Sequence, residues 1–549
     1  MKQVVIIGGV AGGMSAATRL RRLDPTASII VIERSGYVSY ANCGLPYFVG
    51  GVIAERGDLL LQTPESLHAR FRLDVRVLTE VAGIDRSAKS VSVRNLADGS
   101  SYELPYDFLI LSPGAQAIVP DLPGIEQALT LRTIEDVTRL TSAVTSSPQS
   151  AVVIGGGFIG VETAENLVHR GIPTTLVEAL DQVLAPLDPE MAMPVAEELS
   201  RHGITLRLGS ALASIDEHGV VLADGSSIAA DLVILAIGVR PDTALAQAAG
   251  LEIGPRGGIV VDAWNRTSDP SIYAVGDAVE KIDALDGEAV LVPLANIANR
   301  QGRMVADHIM GRPVREVPTI GTAIVKVFDL AVATTGWSEK RLRAQGRSCV
   351  VLHSHPGSHA GYYPGSESMM LKMVIDPDTG QILGAQGVGR SGVDKRIDVL
   401  ATAMRAGITA PELADLELAY APPFGSAKDP VNMLGYMADN VLSGLTRTLQ
   451  WSELASRVDA GAVLVDVRTR EEFNSGHIPG AINIPVDELR DQCRQLPQQD
   501  VIVYCKVGQR GHTAANLLRE CGVTAENLDG GFETWRHSPA AREPDRQFH

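Results

Sequence analysis

A strand, a glycine turn and a helix occur twice in this chain, as VVIIGGVAGGMSAATRL from Val4 and AVVIGGGFIGVETAENL from Ala151. Each apolar run reads as a strand buried on both faces of a parallel sheet, and the helix after it aims free backbone N–H groups at whatever lies beyond the strand end. Each unit closes on a second strand that ends in an acid: Glu33, 25 residues after Gly8, and Glu178, 23 residues after Gly155. That spacing suits a carboxylate accepting hydrogen bonds from the ribose of a dinucleotide. Two such units imply two nucleotides. The second fingerprint is complete, with Gly155, Gly157 and Gly160; in the first, Gly8 and Gly13 are in place and Val10 takes the middle position. Glu178 would repel a 2′-phosphate, so NADH is expected at the second site in preference to NADPH.

Three shorter signals follow. YDFLILSPGA around Leu111, ADLVILAIGVRPDT around Leu235 and SIYAVGDA around Gly276 are apolar strands running into glycine turns. They add Ser112, Gly114, Gly238, Gly276 and Asp277 to the cofactor-binding candidates, with Arg34 beside Glu33. The Asp277 carboxylate is suited to the polyol chain of a flavin. From about Gly321 the glycine loops fade into TAIVKVFDLAVATTGW, a pair of strands joined by DPDTG and a helical stretch near Ala401, which predicts an antiparallel sheet with helices. A connector, NVLSGLTRTL, leads to a fresh α/β segment from about Trp451.

At 549 residues the chain exceeds what one core serves, and three or four domains are expected. A net charge of −17 argues against broad binding to nucleic acid or an anionic membrane, so an anionic ligand must meet a local basic patch. No apolar run is long enough to span a bilayer, and MKQVVIIGG opens as a strand rather than a leader. The five cysteines, Cys43, Cys349, Cys493, Cys505 and Cys521, are too few and scattered for a disulfide framework, which fits a reducing cytoplasm. No metal site is expected.

Cys43 is the only cysteine before Cys349, so no neighbouring thiol can form a redox disulfide with it and the second sulfur must come from elsewhere. Such a thiol works as thiolate. Asn42 and Gly44 permit a tight turn into a helix, whose positive end is expected to lower the Cys43 pKa. Arg19, Arg21 and Arg22 form a basic patch on the first helix, with Arg19 and Arg22 on one face; arginine forks suit phosphate oxygens. Near the C-terminus, CKVGQR curls a glycine-bearing loop from Cys505 to Arg510, an anion nest fitted to a sulfane sulfur.

These fingerprints, VGDA and above all SYANCGLPYF at Ser39–Phe48 resemble the pyridine nucleotide-disulfide oxidoreductases, in particular the single-cysteine branch of coenzyme A (CoA)-disulfide reductases, CoA-persulfide reductases and related NADH oxidases. The resemblance covers residues 1 to about 444. LVDVRTREEF, GHIPGAINIP, YCKVGQR and LDGGFETW are similar to a rhodanese domain. The resemblance implies an α/β chain with two Rossmann-like domains, for FAD and NADH, an α+β dimerisation domain and an α/β rhodanese-like domain. The expected limits are 1–112 and 241–320 for the FAD domain, 113–240 for NADH, 321–444 for dimerisation and 450–549 for the rhodanese segment. It further implies a homodimer acting on a CoA-derived or other small thiol persulfide or disulfide. Cys43 would be the nucleophile, and Cys505 with Arg510 would handle sulfane sulfur. Ser15, Arg19, Arg22, Ser39, Asn42 and Lys428 would hold CoA. Tyr363 and Tyr420 would reach the active cysteine from the second subunit, with Tyr362 as the alternative to Tyr363. An NADH oxidase or peroxidase cycling through a Cys43 sulfenate, and a non-catalytic redox sensor or sulfur relay, are the competing readings.

Overall fold

The computed structural model describes residues 2–497 and 500–542. The end of the expected rhodanese segment, 543–549, lies outside the described residues. The chain divides into two compact units, Met1–Asp181 with His202–Ile320, and Gln182–Arg201 with Gly321–His549.

In the first unit, a five-stranded parallel sheet has the order Ile272–Ala274, Phe108–Leu111, Gln3–Ile7, Ser28–Ile32, Asp74–Arg76. Its central strands are apolar on both faces because helices and small sheets cover both. A second parallel sheet has the order Thr205–Arg207, Thr174–Val177, Ala151–Ile154, Leu232–Leu235. Both glycine loops therefore leave the carboxyl end of a central strand, where open α/β sheets bind ligands. The helix Ala11–Leu23 crosses Ala295–Ile309 so closely that a Cβ on Gly302 would lie 2.2 Å from the Gly12 carbonyl oxygen. That crossing brings Asn299 and Asp307 against Ser15 and Arg19.

In the second unit, Ala323–Val327, Leu330–Gly336, Ile382–Gly389, Met369–Ile375 and Val350–Ser354 form an antiparallel sheet in that order. The DPDTG turn closes as expected, with Asp376 Oδ1 accepting from the N–H groups of Asp378 and Thr379. The helix Pro189–Arg201 packs on this sheet rather than with the strands that flank it in sequence. Its anchor is electrostatic: buried Lys372 meets Asp188, Glu190 and Glu339 at 2.9, 2.5 and 2.6 Å. The connector is shorter than predicted, because Asn440–Leu442 ends the helix Pro430–Leu442 and Thr448–Leu449 already pairs as a strand. A parallel sheet follows, in the order Thr448–Leu449, Ala525–Leu528, Val501–Tyr504, Val463–Asp466, Ile482–Asn483.

The cysteine reading needs one correction: Cys493 and Cys521 form a disulfide. Cys493 is buried at the end of the helix Val486–Gln492, and Cys521 caps the end of the helix Gln509–Glu520 packed beside it. The two are far apart in sequence and adjacent only after folding, so spacing alone did not reveal them. With a sequence separation of 28 residues, loop entropy predicts that Cys521→Ser destabilises this domain by about 3–4 kcal/mol, read as a lower midpoint of thermal unfolding.

Candidate active sites

The two nucleotide loops share one construction. A Cβ on Gly13 would lie 2.0 Å from the Gly8 carbonyl oxygen, and one on Gly160 would lie 1.8 Å from that of Gly155, so helix and strand meet only over glycine. Gly8 and Gly155 take φ of +100° and +109°, open to glycine alone. Each acid is pinned the same way by backbone. Glu33 accepts from the N–H groups of Gly9 and Ser35, each at 2.8 Å. Glu178 accepts from those of Gly156 at 2.6 Å and Leu180 at 2.8 Å. Burial pushes the Glu33 carboxyl up, against those N–H groups.

Neither loop helix has a side-chain cap at its start, at Val10 or Gly157, and the space beside Gly157 is open. Uncapped N–H groups, a fixed carboxylate and a glycine-lined approach fit a pyrophosphate and ribose at both sites. Gly276 and Asp277 sit in the short turn after Ile272–Ala274, with the Gly276 N–H on Gln301 and Asp277 on Arg132 at 2.7 Å. Arg132, which precedes the Thr133-capped helix Ile134–Thr145, was missed in sequence because no motif surrounds it. Arg34 pairs with Asp242 at 3.4 Å. Ser112 supplies the carbonyl over Gly8, while Gly114 and Gly238 occupy positive-φ turns.

Cys43 lies in the turn Asn42–Gly44, followed directly by the helix Leu45–Val49, and is solvent-accessible. Its thiol departs from expectation. Burial first, then the Glu162 and Asp277 carboxylates, push it up, and Arg132 opposes them only in part. The following helix has a single short turn, too little dipole to outweigh two carboxylates. Glu162 lies on the second loop helix and accepts a hydrogen bond from Tyr47 at 3.1 Å. Neither was singled out in sequence, although Tyr47 is four residues past Cys43 in SYANCGLPYF and Glu162 is one of two acids in VETAENL.

Of the arginine patch, Arg19 is bound to Asp307 at 2.6 Å, and Arg303 and Arg312 also approach that carboxylate. Arg21 is structural, spent on the carbonyls of Phe71, Arg72 and Asp24. Arg22 lies over the Phe71 ring, Ser15 donates to Asn299 at 2.8 Å, and Ser39 takes φ +48° with its N–H on Gly9. Asn42 begins the cysteine turn.

In the second unit, Tyr362 rather than Tyr363 meets Tyr420, hydroxyl to hydroxyl at 2.8 Å. Tyr363 turns its edge to His359 instead. Lys428, eight residues after Tyr420, is exposed, and Tyr362 is 75% exposed, unusual for so large a ring on a monomer surface.

Cys505 is buried, and of the CKVGQR loop the Gly508 N–H donates to its sulfur at 3.2 Å. Arg510 is held by Glu472, two oxygens at 2.7 Å each, which pulls the Glu472 carboxyl down to about 2. Glu472 lies in the quoted REEF run, but its partner is 38 residues away. Behind the loop, Asp529 grips His353 through both its backbone N–H and Nδ1, and His353 Nε2 reaches Glu190 at 3.0 Å.

The family model for pyridine nucleotide-disulphide oxidoreductases matches residues 2–302, and the model for their dimerisation domain matches 322–430. The chain belongs to that family. A rhodanese-like domain matches 450–538. This oxidoreductase is 35% identical to the coenzyme A disulfide reductase of Staphylococcus haemolyticus, over 80% of its own length and 99% of the relative's. Among solved structures, reduced CoADR-RHD of Bacillus anthracis is 48% identical with a TM-score of 0.96, covering 98% of each chain. An NAD-dependent persulfide reductase from A. fulgidus is 37% identical with a TM-score of 0.91, over 97% of this chain and all of that one. Family membership makes the chain an oxidoreductase that works with FAD and a nicotinamide nucleotide, in an α/β fold with a dimerisation domain and a C-terminal rhodanese domain. No helix among the described residues is long and apolar enough to cross a membrane.

Proposed function

We propose that this oxidoreductase passes electrons from NADH through FAD to Cys43, which cleaves the S–S bond of CoA persulfide or CoA disulfide, while Cys505 handles sulfane sulfur. The observation that carries the reading is the Cys43 turn: a solvent-accessible thiol, with no second cysteine near it in sequence, grouped with Asp277 and Arg132 of the first nucleotide domain. A lone thiol there can complete a disulfide only with a sulfur of its substrate.

In this reading Glu33, the Gly8–Gly13 loop, Ser112, Gly114, Arg34, Gly276 and Asp277 hold FAD. Gly155, Gly157, Gly160, Glu178 and Gly238 hold NADH, the Glu178 carboxylate disfavouring NADPH. Bound FAD supplies a two-electron relay between nicotinamide and sulfur. The Cys43 thiolate attacks the substrate, a bond from its Sγ to the near sulfur forms, and the far sulfur leaves. Ser15, Arg19, Arg22, Ser39, Asn42 and Lys428 orient the CoA portion. The Tyr362–Tyr420 pair, presented by the second subunit of a homodimer, meets the departing thiolate; the hydrogen bond between the hydroxyls favours Tyr362 over Tyr363 for this role. The Gly508 N–H and Arg510 stabilise a persulfide on Cys505. The FAD domain spans 1–112 and 241–320, the NADH domain 113–240, the dimerisation domain 321–444 and the rhodanese domain the chain from 450, in a cytoplasmic enzyme.

The test is acceptor choice. Purified holoenzyme is expected to oxidise NADH at least about tenfold faster with CoA disulfide or CoA persulfide than with oxygen alone, and faster with NADH than with NADPH, a difference of about 1.4 kcal/mol in barrier. Equal rates with oxygen alone would replace this reading by the oxidase one.

A further inference from the structure

Glu472 has no part in the sulfur reading so far, yet it holds the cation of the Cys505 loop. The loop itself is clamped by its carbonyls. The Cys505 oxygen accepts from the Phe532 N–H at 2.9 Å, the Lys506 oxygen from the Glu533 N–H at 3.0 Å and the Gly508 oxygen from Asn527 Nδ2 at 3.1 Å. A Cβ on Gly531 would lie 2.4 Å from the Cys505 oxygen, so this clamp closes only over glycine. In a trans peptide the N–H points opposite to the C=O, and the N–H groups of Lys506, Val507 and Gln509 therefore turn away from the clamp. The Gly508 N–H already meets the sulfur at 3.2 Å, and the helix Gln509–Glu520 starts there without a side-chain cap. Such a start supplies about half a positive charge. Side chains add little to it. Arg510 presents Nη1 and Nη2 to the two Glu472 oxygens at 2.7 Å each, a fork in which the charges cancel. Around the clamp, Arg468 lies over the Phe532 ring and is bound to Asp466 at 2.6 Å, while Glu533 meets Arg536 at 2.8 Å. Lys506 is exposed, where water and salt screen it. The loop thus suits one negative charge and falls short of two.

We propose that Glu472 sets the charge of the sulfur donor at Cys505: an organic persulfide, whose reacting end carries at most one charge, is accepted, and a dianionic inorganic donor such as thiosulfate is refused. This rests on the reading of Cys505 as the sulfane-sulfur carrier. The Cys505 thiolate attacks the outer sulfur of R–S–SH, a bond from its Sγ to that sulfur forms, the S–S bond breaks, and RS⁻ leaves with the bonding pair. RS⁻ takes the proton of the outer sulfur. The products are RSH and Cys505–S–S⁻, so the site holds one negative charge before and after, and no outside oxidant or reductant enters. The fork to Glu472 leaves guanidinium N–H groups over on Arg510, which can hydrogen-bond that single charge. Thiosulfate would bring two charges to a thiolate and leave sulfite, a second dianion, beside the Glu472 carboxylate.

The test is sulfur loading of Cys505 in the holoenzyme without NADH, followed by mass spectrometry of its peptide, with glutathione persulfide or thiosulfate as donor. In the wild type the persulfide should load Cys505 at least about tenfold faster than thiosulfate at equal concentration. Glu472→Gln leaves the Arg510 charge unbalanced, and thiosulfate loading should rise about tenfold or more. Added salt should erase that gain, which a merely structural change would not show. Persulfide loading should stay within about threefold, since its reacting end gains little from a second positive charge. Equal loading by the two donors in the wild type, or an unchanged thiosulfate rate in Glu472→Gln, overturns the proposal. If Glu472→Gln does not fold, Glu472→Asp decides, because its shorter chain cannot span both guanidinium nitrogens: a gain of about threefold for thiosulfate is expected, and no gain overturns the proposal. A Cys505 peptide that gains sulfur from neither donor, in wild type and variant alike, instead defeats the carrier reading and the proposal with it.

Discussion

Cys43→Ser is expected to lower NADH-dependent cleavage of CoA disulfide by about a thousandfold or more, over 4 kcal/mol of barrier, while NADH still bleaches the flavin. A serine hydroxyl keeps its proton at neutral pH, and its oxygen cannot accept an electron pair from a reduced cofactor as a disulfide sulfur can. The two half-reactions should therefore part: anaerobic mixing with NADH gives a reduced protein, and adding CoA disulfide fails to reoxidise it. In the wild type, the same mixing without excess NADH should leave CoA on the Cys43 peptide, visible by mass. Substantial reoxidation of the variant by CoA disulfide would move the chemistry to another thiol, Cys349 being the other free cysteine outside the rhodanese domain.

The parts of this molecule legible in sequence are those whose chemistry is local. A glycine turn, the acid that closes its unit and a lone cysteine before a helix each declare themselves within about thirty residues, because the backbone geometry they serve is set there. Spacing singled out the two acids, and the structure adds that backbone N–H groups pin both. What was illegible depends on pairs distant in sequence. Tyr47 and Glu162 are 115 residues apart, and Cys493 meets Cys521 only when two helices pack. The Cys43 pKa was read from one short helix, whereas burial, joined by carboxylates from two other segments, sets its direction. Tyr362 and Tyr363 are adjacent, and only the position of Tyr420 separates them.

Lys372→Met should be the most damaging single change outside the active sites, with a loss of about 3–5 kcal/mol. Lys372 is fully buried and, among the described residues, the only lysine or arginine bonded to Glu190, and it also meets Asp188 and Glu339. Burial alone would strip its charge, but the three carboxylates reverse that and hold the ammonium above its ordinary value, while Lys372 and His353 together hold Glu190 well below the carboxylate range. Methionine fills similar volume without a charge, so the cost measures the carboxylates left behind rather than a cavity. The same network gives a pH signature. Burial disfavours a charged His353, but its bonds to Asp529 and Glu190 outweigh that and raise it from 6.5 to about 9. Its contribution is full below pH 6.5 and is lost as pH rises through about 9. Because Trp337, Trp451 and Trp535 lie in the second unit, tryptophan fluorescence should report its unfolding. The midpoint should fall between pH 7 and 10 in the wild type. In Lys372→Met it should be low throughout, and lower still above pH 9, where neutral His353 leaves Glu190 with no positive partner. A variant as stable as the wild type would mean that the three acids are neutral in the folded chain, and that the lysine sits among hydrogen bonds rather than charges.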